Sequence, residues 1–441
     1  MQIPRLLAGI ARNSTKGKSA MSPKTSFAIT LAAALTIGTG ALAETSLDLK
    51  FAGALEFADD GTLFVGDNYN GAIYAFEIPG EASDAQIMPS SIANIDAKIA
   101  ELLGVGTGAI QINDIAAHPV SNDVYISVTR IGNLVSQPAI VTVSQDQSLS
   151  LLDLSAFEFQ KQVLNEFPDG EIAFNGRSGG PGPAMPRDLA KTAVPLNTLA
   201  IMDMEFYEGE LFVAGVATDN FLSSLRRMAY PFDGTQSVSN VEMYHITHDQ
   251  YESRAPIRAM SVQEIDGKPQ LVAAYTCSPI VLVPLDELTD GAKISARTIM
   301  DYGNGQPLDM IAFNSASPFE PNGEPVLFVT SNARAPQVIP ISGLHDADVV
   351  THEDFGRGPK LDMNPLMPFG PVGKPVMFEG TPLHMALVGD GHLASVTRDA
   401  YTGNLNLDTN PTWLPFRIHN LLAEFDFPQF DPTAAAARTS N

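Results

Sequence analysis

A short apolar run, a polar turn, a second apolar run and a polar loop recur along this chain with variation. The phrase reads GALEFADDGTLFVGD from Gly53, INDIAAHPVSNDVYISVTR from Ile112 and IMDMEFYEGELFVAG from Ile201. It returns as IRAMSVQEIDGKPQLVAAYTC from Ile257, as PLDMIAF followed by EPVLFVTSNAR from Pro307, and as PLHMALVGDGHLASVTR from Pro382. Runs of this length, rich in β-branched and aromatic residues and bounded by Asp-Gly or similar turns, are strands. Strand-built repeats at such a period predict an all-β chain folded as a β-propeller, whose four-stranded blades circle a central channel.

The repeat starts fall near 54, 112, 201, 257, 307 and 382. Spacings of 50 to 58 suit one blade, whereas the gaps of 89 and 75 hold something extra. Six blades are visible and a seventh has room in either gap, so the expectation is six or seven in total. The first long gap contains residues 168–193 and the second residues 345–380, both rich in Gly and Pro. Strand interiors tolerate neither residue well, so both segments are expected to be long loop insertions. The segment Ser46 to Phe51 is expected to supply the outer strand of the last blade, closing the ring and removing an open edge.

The ends of the chain read differently. Lys16, Lys18 and Lys24 lead into the apolar run Phe27 to Leu35, and Ala41-Leu42-Ala43 precedes Glu44, the pattern of a secretory signal peptide. The division is therefore a signal peptide at 1–43, a single propeller domain at 44–430 and a disordered tail at 431–441. Met21 begins a more compact signal of the same kind, which leaves residues 1–20 as an upstream extension on the alternative reading of the start. No later apolar run approaches the roughly 20 residues of a membrane span. The expected location is periplasmic or secreted.

Composition narrows the partners. The chain is 44% hydrophobic and 17% charged, enough for a large core. Its net charge of −24 sits on 441 residues, and the signal segment contributes five basic residues and no acidic one, so the mature protein is more acidic still. Such a polyanion repels nucleic acid and anionic lipid; a small molecule or a basic periplasmic protein is the partner it permits. The single cysteine, Cys277, cannot form an internal disulfide, and the absence of C-x-x-C-H excludes c-type haem. No G-x-S-x-G, phosphate-binding glycine loop or H-E-x-x-H occurs.

Aligning the phrases shows where chemistry would gather. Neighbouring strands are antiparallel, so the start of each first strand and the end of each second one face the same rim. The first-strand ring reads Ala54, Asp114, Asp203, Ala259, Asp309 and His384, with Asn113 and Arg258 one residue earlier. The second ring holds Asp67, Asn68, Arg130, Cys277, Asn332, Arg334 and Arg398. Converging carboxylates repel unless they share a cation or proton, which makes Asp114, Asp203 and Asp309, with Asn113, candidate ligands for Ca2+ or Mg2+. The bland alternative is that these aspartates bond to backbone amides. Arg130, Arg258, Asn332, Arg334 and Arg398 are candidate ligand-binding residues, and His384 is the candidate general base. A second constellation, MYHITHDQYESRAPIR, places His245 and His248 three apart with Asp249, Tyr251 and Glu252 nearby. A strand would point the two histidines to opposite faces, so a surface segment feeding the next blade and a transition-metal site both stand as readings.

ALEFADDGTLFVGDNYNGAIYAF resembles a blade of the NHL-repeat and gluconolactonase-like propellers, and the middle third of the chain resembles exported bacterial propellers. The gluconolactonase-like resemblance implies one divalent cation near the channel, held by a Glu, two Asn and an Asp, and opening of lactones or phosphoesters. Glu56 sits near the first acidic position of that pattern, and the later ligands do not match residue by residue. Two functions follow: an exported ligand- or protein-binding module of the periplasm, which is favoured, or a divalent-metal-dependent lactonase-like hydrolase with its site at the channel entrance. A quinone-dependent dehydrogenase is disfavoured by the single tryptophan, Trp413.

Overall fold

The computed structural model describes residues 46–82, 86–132, 135–173, 193–217, 223–253, 255–276, 278–301, 306–316, 321–332, 336–355, 374–375, 380–400 and 402–413. The signal segment, residues 414–441 with the expected tail at 431–441, and most of the two expected loop insertions (174–192 and 356–373), along with Cys277 and Arg334, lie outside them.

The chain enters blade I with β1 (Leu55–Phe57), β2 (Thr62–Asp67) and β3 (Ala72–Glu77), each antiparallel to the last. The β1–β2 turn is built by Gly61, whose φ of 90° suits no other residue well, and by Asp60, whose carboxylate accepts the Thr62 N–H at 2.9 Å. The chain then leaves blade I for β4 (Ser90–Ile92) and helix α1 (Ile95–Leu102). Blade II follows as β5 (Ile110–Ala117), β6 (Val124–Gly132), β7 (Val135–Val143) and β8 (Leu149–Leu151). Only then does β9 (Phe159–Val163) return to pair with β3 and complete blade I.

The remaining blades are laid down in turn. The short strands β10 (Glu171–Ala173) and β11 (Ala193–Pro195) pair with each other at the two ends of the Gly/Pro-rich segment expected to be a loop. Blade III is β12 (Asp203–Tyr207), β13 (Glu210–Val216), β14 (Ser223–Ala229) and β15 (Ser237–His245), with β16 (Gln250–Glu252) folded back on β15. Blade IV is β17 (Ile257–Ile265), β18 (Lys268–Tyr275), β19 (Pro279–Pro284) and β20 (Lys293–Asp301). Its edge strand β20 runs parallel to β15, which joins blades III and IV into one nine-stranded sheet, eight strands in a continuous path with β16 beside β15. Blade V is β21 (Pro307–Asn314), β22 (Pro325–Ser331), β23 (Gln337–Pro340) and β24 (Lys374–Pro375); the last of these lies within the second segment expected to be a loop. Blade VI is β25 (Thr381–Val388), β26 (His392–Arg398) and β27 (Leu405–Pro411), closed on its edge by β4.

These are six four-stranded units, and their order around the ring differs from their order in the chain. Six apolar clusters each span one pair of blades, and the pairs run II–I, I–III, III–IV, IV–V, V–VI and VI–II. The first strands agree, since β1 lies against both β5 and β12, and β25 against β5. Blade II thus sits between blades VI and I. The edge strand of blade VI is β4, so the expected closure by Ser46 to Phe51 is corrected. Leu47 and Leu49 instead pack on the core of blades I and II, and Asp67 accepts the Lys50 N–H at 2.8 Å. Arg226, wholly buried on β14, ties the returning chain down by donating to the carbonyls of Asn165, Glu166, Ala200 and Val216.

The burial pattern explains the sequence pattern. Second strands are covered on both faces by neighbouring blades, so β2 is buried throughout and its centre, Leu63 to Val65, is apolar without alternation. First strands have one face on the channel, so β5 and β21 are buried only in part.

Candidate functional site

The aligned first-strand ring is a ring in space, with a regular alternation. In ring order from blade II it reads Asp114, Ala54, Asp203, Ala259, Asp309, His384, so an aspartate occupies every second blade. In four of the six first strands the ladder slips at this level, between Ile112 and Asp114, Ile257 and Ala259, Pro307 and Met310, and Pro382 and His384. Such bulges re-aim a side chain, here toward the channel.

Each aspartate is held in the same way. One oxygen accepts the N–H of the next residue: Ile115 to Asp114 at 2.8 Å, Met204 to Asp203 at 3.0 Å and Met310 to Asp309 at 2.7 Å. The other accepts an N–H from the following blade: Leu55 to Asp114 at 2.9 Å, Met260 to Asp203 at 2.7 Å and Met385 to Asp309 at 2.6 Å. The carboxylates therefore stitch blade II to I, III to IV and V to VI. His384 continues the sequence from blade VI to II, its Nδ1 lying 3.5 Å from Asp114 Oδ1. Two residues further along their strands, Glu56 accepts the Phe206 N–H at 3.2 Å and Glu205 accepts the Val262 N–H at 2.9 Å, stitching I to III and III to IV again.

Burial in the channel raises the proton affinity of Asp203, Asp309, Glu205 and Glu56. Burial first, then the charges of Asp309 and Asp114, push the Asp203 carboxyl well above its usual range. Burial, reinforced by Asp114 and opposed by His384, lifts Asp309 to about 7. Burial also lifts Glu205 to about 7, and burial with the Glu205 charge raises Glu56 well above the ordinary value. Asp309 and Glu205 are thus poised to exchange protons near neutrality.

The aspartate ring is a waist between two chambers. On the side where the first strands begin lies a chamber of about 460 Å3, lined among others by Asn68, Asn113, Arg258, His384 and Arg398. On the far side lies one of about 480 Å3, lined by Glu56, Glu205 and apolar residues such as Ile115, Met310 and Met385. Asn113 donates to the Ala52 carbonyl at 2.7 Å and to Thr129 Oγ1 at 2.8 Å. Asn68 holds one wall by donating to the carbonyls of Thr198 at 2.8 Å and Ile201 at 3.1 Å. Gly215 is required behind that wall, since a Cβ there would stand 2.0 Å from the Ala200 carbonyl oxygen.

Of the residues singled out from sequence, the structure brings Asp114, Asp203, Asp309, Asn113, His384, Arg258 and Arg398 to the first chamber. Arg130 lies opposite Ile110 at the end of β6, and Asn332 exchanges hydrogen bonds with Gln306; neither is among the lining residues. Glu205 belongs to the channel and was not singled out. The signal for it was present, because side chains two apart on a strand share a face and Glu205 follows Asp203 by two.

The second constellation is also assembled, by a hairpin rather than a helix. Strand β15 ends at His245, and β16 returns with Met243 opposite Glu252. The turn places His248 beside His245, with ring centroids 4.4 Å apart. His245 Nδ1 meets Glu252 Oε2 at 2.9 Å and His248 Nδ1 meets Glu252 Oε1 at 2.6 Å. Among the described residues this is the one trio of metal-type ligands whose atoms lie within 4.8 Å of one another. The channel aspartates do not form such a trio.

No family model matches the sequence, and no curated protein matches it. The fold and channel define a β-propeller, with six blades among the described residues, and none of the described helices is long and apolar enough to cross a membrane. Similar solved structures include a luciferin-regenerating enzyme, at 9% identity and TM-score 0.31 over 82% of this chain and 90% of that one. A glucose dehydrogenase is similar at 12% identity and TM-score 0.28, over 82% and 96%. Extracellular domains 1–2 of Drosophila Semaphorin 1b are similar at 10% identity and TM-score 0.34, over 82% and 84%. Likeness at this level says nothing about activity, and the fold rests on the pairing described above.

Proposed function

We propose that the protein is an exported binding propeller that takes a small hydroxylated carboxylate, such as a sugar acid, in the chamber at the start of the first strands. The observation that carries this reading is the pairing of Arg258 and Arg398 with a floor of Asp114, Asp203 and Asp309 in one cavity of about 460 Å3. Guanidinium groups suit a carboxylate, and a carboxyl that titrates near neutrality, as Asp309 does, both donates to and accepts from hydroxyl groups. The chamber is of the size usual for small ligands. The signal-like N-terminus supports a periplasmic setting.

A lactonase-like hydrolase dependent on a divalent cation is the second reading. It is favoured by His384, whose Nδ1 stands 3.5 Å from Asp114 in the same chamber, as a base would be oriented. It draws further support from the resemblance of blade I to gluconolactonase-like propellers. A cation at the waist would have to use lone pairs that the backbone amides leave free on Asp114, Asp203 and Asp309, or displace those amides.

The test is a calorimetric titration of the protein with gluconate and galacturonate, beside a screen for hydrolysis of the matching lactones with Ca2+ or Mg2+ present. Saturable binding weakened on the order of tenfold in Arg258→Gln or Arg398→Gln is expected, the loss of one charge-assisted contact. Heatless titrations with every acid would sink the binding reading. Turnover abolished by EDTA and by His384→Gln would replace it with the hydrolase.

A further inference from the structure

We propose that the β15–β16 hairpin is a site for a zinc-class divalent cation, held by His245 Nδ1, His248 Nδ1 and the Glu252 carboxylate. The site lies at the outer edges of blades III and IV, is independent of the ligand chamber, and has the two-imidazole, one-carboxylate donor set that borderline metals prefer.

The geometry is already gathered. Both imidazoles aim the same nitrogen, Nδ1, at one carboxylate, at 2.9 and 2.6 Å. Ligand atoms around a tetrahedral zinc stand roughly 3.4 Å apart, as bond lengths of about 2.0–2.2 Å require. An opening of under about 1 Å at each histidine–carboxylate contact therefore brings these atoms to ligand spacing. His245 is 2% exposed and Glu252 16%, so two ligands are fixed by packing, while His248, at 50%, leaves a coordination position open to water.

The far side of His245 suits a cation on Nδ1. Its Nε2 faces Ser278 Oγ at 3.1 Å and the fully buried Asp301 at 3.7 Å. A neutral imidazole has one N–H. If that hydrogen sits on Nδ1 to serve Glu252, the Nε2 lone pair is turned toward the Asp301 carboxylate. With a metal on Nδ1, the hydrogen moves to Nε2 and points at Ser278 and Asp301, the carboxylate–histidine–metal arrangement that fixes the tautomer of a ligating histidine. The turn itself is braced, for Asp249 takes φ 52° and accepts from Tyr244 Oη at 2.6 Å, with His352 Nδ1 at 2.5 Å.

The test uses tag-free protein, stripped with EDTA and titrated with Zn2+ against a chromophoric chelator, then with Co2+ to read its visible bands. One equivalent should bind, with tetrahedral Co2+ absorption. His248→Gln and Glu252→Gln should weaken binding on the order of 100-fold and erase the bands, since ligand loss removes a direct bond. His248 is half exposed, so His248→Gln should unfold at the metal-free midpoint of the parent, which separates lost binding from lost fold. Absence of binding, or binding that survives His248→Gln, overturns the proposal. Binding lost instead in His384→Gln also overturns it and moves the ion to the channel.

Discussion

The channel and the β15–β16 hairpin both gather carboxylates, and they neutralise them by opposite means. In the channel, the acceptors on Asp114, Asp203 and Asp309 are met by backbone N–H groups of two successive blades. Such donors are part of the fold and cannot be exchanged, so the carboxyls serve as staples whose charge is a cost. In the hairpin, Glu252 is met by two imidazoles and Gln250, donors that a cation can replace. The titration follows: Asp203 and Asp309 are raised in the channel, whereas, against the opposing effect of burial, the hydrogen bonds of Gln250, His245 and His248 hold Glu252 below its ordinary value. A carboxylate cluster is therefore not one kind of object, and the donors facing it decide what it is for.

The largest effect should come from removing a staple. Asp203→Ala leaves the amides of Met204 and Met260 without their acceptor between blades III and IV. At about 1–3 kcal/mol for each buried group left unsatisfied, offset by relief of repulsion in the channel, a net loss of about 2–4 kcal/mol is expected in a urea titration. A variant as stable as the parent would show that the aspartate ring does not hold the blades together.

The next effect is a slope with pH. For a carboxyl raised in the folded state, the native protein binds more protons than the unfolded chain between the unfolded value near 4 and the folded value. Glu205 and Asp309 have folded values of about 7, so stability should fall as pH rises from about 4 to 7 and level off above. Each such group contributes up to about 1.4 kcal/mol per pH unit while it titrates. Unfolding midpoints measured from pH 5 to 8 should decline. Glu205→Gln keeps an oxygen for the Val262 N–H and should flatten the decline; a midpoint that climbs toward pH 8 would contradict the assignment.

How much of this was readable before folding depends on where the information lies. The six phrases and the aspartate ring were legible because the channel residue stands two places after the start of its phrase, as Asp114 does after Ile112, Asp203 after Ile201 and Asp309 after Pro307. The exchange of β4 and β9 between blades was not. The paired part of β4 is the three residues Ser90–Ile92, a length at which alternation carries no information about the partner, and its contacts with β27 lie over 300 residues away. Ser46 to Phe51 misled because Leu47 and Leu49 alternate as an edge strand would, while their role is to cover Tyr74 and Phe76. The histidine pair was visible but its geometry was not, since a four-residue turn with Asp249 in the left-handed region does what a helix would otherwise do.

The smallest effect sharpens the comparison most, because it repeats one substitution in both places. Glu252→Gln in metal-free protein swaps carboxylate for amide, as Glu205→Gln does in the channel. In the hairpin both oxygens accept, Oε2 from His245 and Oε1 from His248 and Gln250, so the new NH2 group must face a donor. A loss of about 1 kcal/mol is expected at pH 8, the size of a partly exposed charge-assisted hydrogen bond. Glu252 is lowered in the folded state, so its contribution is present above the unfolded carboxyl value and disappears as pH falls through the folded one. The two glutamine variants should therefore separate in sign at pH 8, stabilised in the channel and destabilised in the hairpin, and converge on the parent at acid pH. Parallel shifts of the same sign would mean that the surrounding field, rather than the individual donors, governs both clusters.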